Sequence, residues 1–303
     1  MLKNLFYRLI YHENINYFLR NLNKVVNLCF HSRIRINPSG ILKVRMGNRK
    51  LIRMSTNQTN FVTKRIFWDK RGYLDFEYTP VFIKLIRKVS CFYDIGANIG
   101  YYSLIAASEN PSIRIRCFEP AEGPLSFLNE NVKLNGFTNI HVESLALSDH
   151  LGEIDFYEVK NTKYTYLKYN LGGEGNAGSK ANEGEYLITK IRATTLDEYF
   201  KSIDDDKIDL IKIDTEGTEI GILRNASFVI ETMKPIVICE TLFNRIEAEL
   251  EELFISHGYF FYHFNGKGLR KVNTIKRQSD DGIRDCFFVH PEKLHLISDL
   301  IIN

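Results

Sequence analysis

An α/β fold built on a doubly wound, Rossmann-like sheet is what this chain predicts, and three stretches carry the prediction. Residues 91–94 (CFYD) are a short apolar run that enters a glycine turn, GANIG at 96–100, and resumes as an apolar helical run from Tyr101. Residues 113–118 (IRIRCF) alternate like a strand and end in Glu119-Pro120, and residues 208–213 (IDLIKI) end in Asp214. Strands separated by helical stretches make parallel βαβ units, whose ligand crevice lies outside the carboxyl ends of the strands.

From the N-terminus, residues 1–30 show two apolar stripes at helical spacing: Leu2, Leu5, Phe6, Leu9 and Ile10, then Ile15, Phe18, Leu19, Leu22, Val25, Val26 and Cys29. Two helices packing on the main domain or on a second subunit are the expectation. Lys3 and Arg8 flank the first stripe, which keeps open a helix lying on a membrane surface, although Glu13 and an Asn-rich polar face speak against it. Residues 33–71 alternate around Asn37-Pro38-Ser39-Gly40 and Gly47-Asn48, predicting a small set of antiparallel hairpins. That stretch holds eleven Lys and Arg against one acid, Asp69, enough to expect attraction to an anionic partner. A nucleotide-linked sugar, a lipid-linked phosphate acceptor and an anionic membrane surface all fit. No RNA-binding motif accompanies the charge, so nucleic acid is not the expected partner. Thr79-Pro80 then caps a helix through residue 88, with Pro80 at its first position.

The turn at 96–100 sets the ligand. Glycine serves where backbone takes left-handed angles or where a ligand must approach closely, and a strand–turn–helix junction offers backbone N–H groups to it. Glu119 follows the last glycine by roughly twenty residues, the spacing at which an acid meets ribose hydroxyls. The dinucleotide pattern fails here, because Asn98 and Tyr101 stand where two of its glycines belong. Asp94, just ahead of the turn, repels phosphate but suits an α-ammonium. S-adenosylmethionine (SAM) is the ligand that joins an amino acid to an adenosine.

DIGANIG at 94–100, FEP at 118–120, NVKLNGFTNIHVESLALSD at 131–149, LDEYF at 196–200 and DLIKIDTEGTE at 209–219 together resemble the FkbM-type branch of class I methyltransferases. The resemblance covers residues 73 to 291, leaving 1–72 as an extension ahead of a SAM-dependent domain at 73–303. It implies a seven-stranded methyltransferase sheet and transfer of a methyl group, most often to a hydroxyl of a sugar or natural-product scaffold. It places Glu77 near the methionine end of the cofactor, and Ser144, Leu145 and Ala146 against the adenine. Asp94, Gly96, Asn98, Gly100, Glu119 and Asp214 complete the expected cofactor set.

The remaining elements follow in order. A helix from 123 to 135 ends at Gly136, and residues 139–142 form the third strand. Residues 152–169 alternate like a hairpin, and the glycine-rich 171–185 is either a disordered insert or a lid over the acceptor. Thr195 and Glu198 have capping-box spacing for a helix at 196–201. The fifth strand, 236–239, ends in Glu240, and late strands at 259–264 and 286–289 predict a closing antiparallel pair.

For chemistry, Asp214 is the first choice of general base and Glu240 the second, with Lys212 two residues before Asp214 on the same strand face. Asp214, Glu216 and Glu240 are also hard oxygen ligands for a divalent ion, although a metal is not the favoured reading. The competing role for Asp214 and Glu216 is to cap the next helix. His263 is an outside candidate; no histidine pair has zinc-ligand spacing. An N-methyltransferase acting on a peptide or small amine, and a catalytically silent SAM-binding scaffold, remain as rival readings. The five cysteines (29, 91, 117, 239 and 286) lack CxxC spacing, and no apolar run reaches the ~18 residues of a membrane span. A cytoplasmic location with free thiols is expected.

Overall fold

The computed structural model describes residues 2–30, 34–46, 50–172 and 186–302. Helices α1 (Leu2–Ile10) and α2 (Glu13–Phe30) precede a hairpin of β1 (Gly40–Arg45) and β2 (Leu51–Thr56), then α3 (Phe61–Trp68) and α4 (Thr79–Ile86). The parallel units follow as β3 (Cys91–Ile95), α5 (Tyr101–Glu109), β4 (Arg114–Phe118), α6 (Glu122–Asn135) and β5 (Ile140–Glu143). A side sheet is made by β6 (Ala146–Leu147), β7 (Gly152–Val159) and β8 (Tyr186–Thr194). The chain returns through α7 (Leu196–Lys201), β9 (Leu210–Ile213), α8 (Glu219–Arg224) and β10 (Ile236–Glu240). It closes with α9 (Glu247–Ser256), β11 (Phe260–Phe264), β12 (Leu269–Val272), β13 (Asp285–Val289) and α10 (Leu294–Ile297).

The central sheet runs β12-β11-β13-β10-β9-β3-β4-β5. Strands β3, β4, β5, β9 and β10 are parallel, while β13 inserts antiparallel between β10 and β11. The closing antiparallel pair is therefore present. Among the described residues the sheet has eight strands, not seven, because β12 hairpins onto the edge. Its four residues leave Arg270 and Lys271 exposed, too little alternation to stand out in sequence. Chain order reverses between β3 and β9, which places the ligand crevice at their carboxyl ends.

Alternate residues of each strand serve opposite cores, as the pleat requires. Phe92, Leu210, Ile236 and Ile238 face a core shared with α4, α5, α6 and the β1–β2 hairpin. Tyr93, Ile211, Ile213 and Val237 face the other, shared with α7, α8 and α9. Four cysteines are free and buried, and Cys29 is exposed. Among the described residues no helix is long and apolar enough to cross a membrane.

Several sequence expectations change. Residues 33–71 hold one hairpin and then a helix: Asn60 caps α3 by accepting from Thr63 N at 2.9 Å, ending the strand pattern. The extension is continuous with the main core, since Leu42, Val44, Ile52 and Met54 join it, and Asn131 of α6 accepts from Ser55 N at 2.5 Å. Thr79 is the first residue of α4 rather than its cap; its hydroxyl pairs with the Tyr101 hydroxyl at 3.0 Å. Strand β7 does not fold back within 152–169 but pairs with β8, in register Gly152↔Ala193 to Val159↔Tyr186. The insert or lid expected at 171–185 falls largely on residues 173–185, outside those described. Thr195 does cap α7, accepting from Glu198 N at 3.2 Å. Finally, α2 packs inward through Asn16 and Arg20, both buried, and turns Phe18, Leu22 and Val25 of its apolar stripe outward, with Ile15, Leu19 and Val26 half-buried.

Candidate functional site

The turn after β3 is fixed by its own sequence. Gly96 sits at φ +75°, and a Cβ there would fall 1.9 Å from the Asp214 carbonyl oxygen, so this backbone approach requires glycine. Gly100 sits at φ +89°, and its missing side chain makes room for Leu128 of α6. Asn98, at φ +51°, takes the left-handed angle that asparagine tolerates better than most residues.

The expectation that this turn offers N–H groups to a ligand is corrected. Gly96 N and Ala97 N both donate to Phe118 O at 3.0 Å, and Gly100 N donates to Ala97 O at 2.8 Å. Asn98 N donates to Glu119 Oε2 at 2.8 Å, and Ile99 N to Asn98 Oδ1 at 2.8 Å. Every amide of the turn is spoken for, because β4 ends alongside it. What faces outward is acceptor chemistry, which excludes a phosphate on this turn more firmly than the glycine count did.

Two cavities open on either side of the turn and share Gly96, Asn98, Gly172, Asp214 and Glu216. The first is walled by Phe118, Pro120, Leu145, Ala146, Ile154 and Phe156, a mainly apolar slot suited to a flat base. Glu119 is its buried polar group; Oε1 accepts from Ala121 N at 2.9 Å and Oε2 from Asn98 N. A carboxylate has about four acceptor sites, so two remain for hydroxyl donors. Burial pushes the Glu119 carboxyl up to about 7, against the pull of those two amides. Hydroxyl donors from a ligand would favour its ionised form. An apolar slot with one buried acceptor beside a left-handed turn is what an adenosyl group requires.

The second cavity is lined by Glu77, Asp214, Glu216 and Glu240, with Lys212 the cation among them. Glu77 and Glu216 also adopt left-handed φ, +42° and +59°, a backbone cost that recurs at ligand sites. Tyr102 donates its hydroxyl to Glu77 Oε2 at 2.6 Å. Lys212 Nζ lies 3.4 Å from Asp214 Oδ2 and 3.8 Å from Asp94 Oδ1, and donates to Gly96 O at 3.2 Å. Burial alone lowers the Lys212 ammonium, but Asp214, Asp94 and Glu77 outweigh it and hold it above the usual lysine range. The Glu240 carboxyl is pushed up to about 8, by burial first and then by Asp214, Glu216 and Glu219.

The expected residues separate as follows. Gly96, Asn98, Glu119, Leu145, Ala146 and Asp214 line the first cavity, and Glu77, Lys212 and Glu240 the second. Asp94 lies one layer beneath, buried, accepting from Ser103 Oγ at 2.5 Å and facing Lys212. Gly100 and Ser144 line neither cavity. His263 is buried in β11, also away from both, and burial lowers its imidazolium. Carboxylate oxygens of Asp214, Glu219 and Glu240 fall within 4.8 Å of one another, so Glu219 replaces Glu216 in the expected triad. Yet Glu219 Oε1 already accepts from Thr215 N, Thr215 Oγ1 and Gly217 N at 2.7–3.1 Å, organising the loop that presents Asp214.

Two contributors were missed. Asp285 pairs with Glu240 across β13 and β10, and its carboxyl is pushed up by burial, Glu77, Asp214 and Glu240. Like charges directly opposite are disfavoured in a sheet, so the register itself is the signal. Asn60, in the extension, donates from Nδ2 to Asn98 Oδ1 at 3.1 Å and lines the second cavity beside Phe61. Its place before a helical run was the readable clue.

Comparison with known proteins gives a consistent result. The methyltransferase FkbM domain family matches residues 94–261. "Methyltransferase sdnD" of Sordaria araneosa is 27% identical over 188 residues, 52% of this chain and 71% of that protein. "31-O-demethyl-FK506 methyltransferase FkbM" of Streptomyces tacrolimicus is 30% identical over 99 residues, 33% of this chain and 35% of that one. A crystal structure of methyltransferase FkbM from Methylobacillus flagellatus KT aligns over 66% of this chain and 43% of its own, with TM-score 0.43 and 16% identity.

Proposed function

This chain belongs to the methyltransferase FkbM family of SAM-dependent enzymes, and from that premise we propose that it methylates a hydroxyl on a sugar, glycoconjugate or natural-product acceptor. The observation that carries the reading is the shared wall of the two cavities. An adenosyl slot and a carboxylate-lined chamber meet at Gly96, Asn98, Gly172, Asp214 and Glu216. Glu119 would hold the ribose, Leu145 and Ala146 would flank the base, and Glu77 would meet the α-ammonium. Asp94 takes no direct part here; it steadies Lys212 from below. Bound there, the sulfonium supplies an already activated methyl group, so the protein needs mainly to position the acceptor and take its proton.

Glu240 lines the second cavity and its carboxyl is pushed up to about 8, near the pH at which a general base works best, so it serves as the proton acceptor. Asp214, paired with Lys212, serves to orient the acceptor hydroxyl. Such positioning is worth about 7–11 kcal/mol in well-oriented reactions. The acidic lining of the second cavity also favours a cationic acceptor, which makes an amine the second reading. An Asp214→Asn variant that keeps full activity would favour the amine.

The test begins with calorimetry of SAM binding. A mass-spectrometric assay then follows methyl gain across saccharide, glycolipid and amine acceptors. Saccharide hydroxyl methylation is expected. Binding of SAM with methyl gain on amines alone would overturn the hydroxyl assignment.

A further inference from the structure

Helix α2 is inside out. Its inward face is polar: Asn16 Nδ2 donates to Asn37 O at 3.0 Å, and Asn16 Oδ1 accepts from Ser39 N at 2.8 Å. Arg20 donates to Ser39 O at 2.8 Å and Ile41 O at 2.9 Å. Asn23 accepts from Ile36 N at 2.9 Å, and Asn27 donates to Ile34 O at 2.7 Å. Spaced at 16, 20, 23 and 27, these side chains form one stripe that satisfies the backbone leading into β1. The opposite face carries Phe18, Leu22 and Val25, respectively 66%, 48% and 56% exposed, with Leu28 and Phe30 at its end.

Helix α1 repeats the arrangement. Tyr7 and Tyr11 pack on Tyr164, with ring centroids 5.1 and 5.5 Å away, so that side faces the protein. Leu2, Leu5, Phe6 and Leu9 lie opposite and are all more than half exposed. At 100° per residue, Lys3 and Arg8 fall on either edge of this stripe, both exposed. An apolar surface spread over two adjacent helices is not ordinary scatter.

Charge identifies what covers it. Residues 1–68 contain thirteen Lys and Arg and a single acid, Glu13, whereas the whole chain is only +3, so the rest of the molecule is net acidic. A second copy seated on this face would set Lys3 and Arg8 of one chain against those of the other. We propose that the α1–α2 face docks on an anionic lipid bilayer, its apolar stripes entering the headgroup–acyl boundary and Lys3, Arg8 and their basic neighbours meeting lipid phosphates. Amphipathic helices with basic flanks bind membranes in this way, by apolar burial plus attraction to anionic lipid. Helix α3 begins in the same basic segment, with Phe61 exposed at the rim of the acidic cavity.

The test is co-sedimentation of the full chain with vesicles of phosphatidylcholine alone, or of phosphatidylcholine and phosphatidylglycerol in equal parts. Binding is expected to the anionic vesicles only and to weaken as salt rises. Neutralising Lys3 and Arg8 to Gln should weaken partitioning about fivefold per side chain. The double variant Phe18→Ser, Leu22→Ser should weaken it by at least roughly tenfold. Both altered side chains are exposed, so this variant should keep the wild-type circular dichroism and SAM affinity. Failure to sediment with either vesicle, or equal binding to both, overturns the proposal. So does a dimer in solution that the Phe18→Ser, Leu22→Ser variant converts to monomer. None of these outcomes bears on methyl transfer, which is read separately.

Discussion

The cavity on the Glu119 side of the Gly96 turn draws most of its lining from short stretches directly after β3, β4, β5 and β9, with Glu158 of β7 and Asn170 beyond that strand added. The cavity on the Glu77 side draws on α3, on the residues before α4, on α5, and on the ends of β9 and β10, with Asp285 of β13 in its field. One is a consequence of βαβ units, whose loops must converge at a switch point. The other depends on the extension being folded against the main domain. They also differ electrically. A single buried carboxylate, already bonded to two amides, serves the first, while several carboxylates compete for one lysine in the second. The first is thus built to hold one ligand, and the second to keep a carboxylate protonatable near neutral pH.

Replacing Gly96 by alanine breaks both cavities at once, since the new Cβ has no space against the Asp214 carbonyl. Loss of SAM binding in calorimetry is expected, with a Tm fall of roughly 2–4 °C for each kcal/mol of strain. Changing Glu240 to Gln separates the two: turnover should fall about 10²–10⁴-fold while SAM affinity stays within a factor of a few. In the wild type, kcat/KM should climb with pH through about 8, as Glu240 loses its proton. Its folded pKa lies above the ordinary value, so stability is lost as pH rises from the unfolded pKa through about 8. The Gln variant should accordingly gain Tm at pH 9 and little at pH 4. A variant that loses SAM affinity as well as turnover would mean that the two cavities act as one.

Changing Glu119 to alanine probes the other side. Loss of a charge-assisted contact worth about 1.5–3 kcal/mol should weaken SAM binding roughly 10- to 100-fold. Undiminished affinity would remove the ribose assignment. The smallest effect is expected for Asn60→Ala, which removes the α3 cap and the contact to Asn98. About 1 kcal/mol of stability should be lost. A rise in acceptor KM without change in SAM affinity would show that the extension serves the second cavity.

Much of the scaffold was readable because its signals are local. The strand–turn–helix at 91–109, the acid ending β4 and the Thr195 cap each lie within a few residues, where periodicity and turn chemistry decide the outcome. Misreadings arose where a distant segment competes. The alternation in 152–159 is a strand in either reading, but its partner comes from 186–194. The apolar stripes of α1 and α2 are real, but they point outward because α1 packs inward through Tyr7 and Tyr11 and the Asn and Arg stripe of α2 finds backbone groups to satisfy. Asp94 stands in its motif, yet folding sets it below the cavity floor, opposite Lys212.

By itself the sequence determined the alternating strands and helices from β3 to β5, the strands β9 and β10, the glycine turn and the acid that follows it, since these rest on dihedral preference and on the alternation of apolar with polar residues. Only the tertiary structure decided that the turn's amides are already bonded, that Asp285 faces Glu240, that Asn60 reaches Asn98 and that the N-terminal helices show their apolar sides to solvent. Those features depend on strand register and on which polar groups meet after collapse, and no local pattern in the chain encodes either.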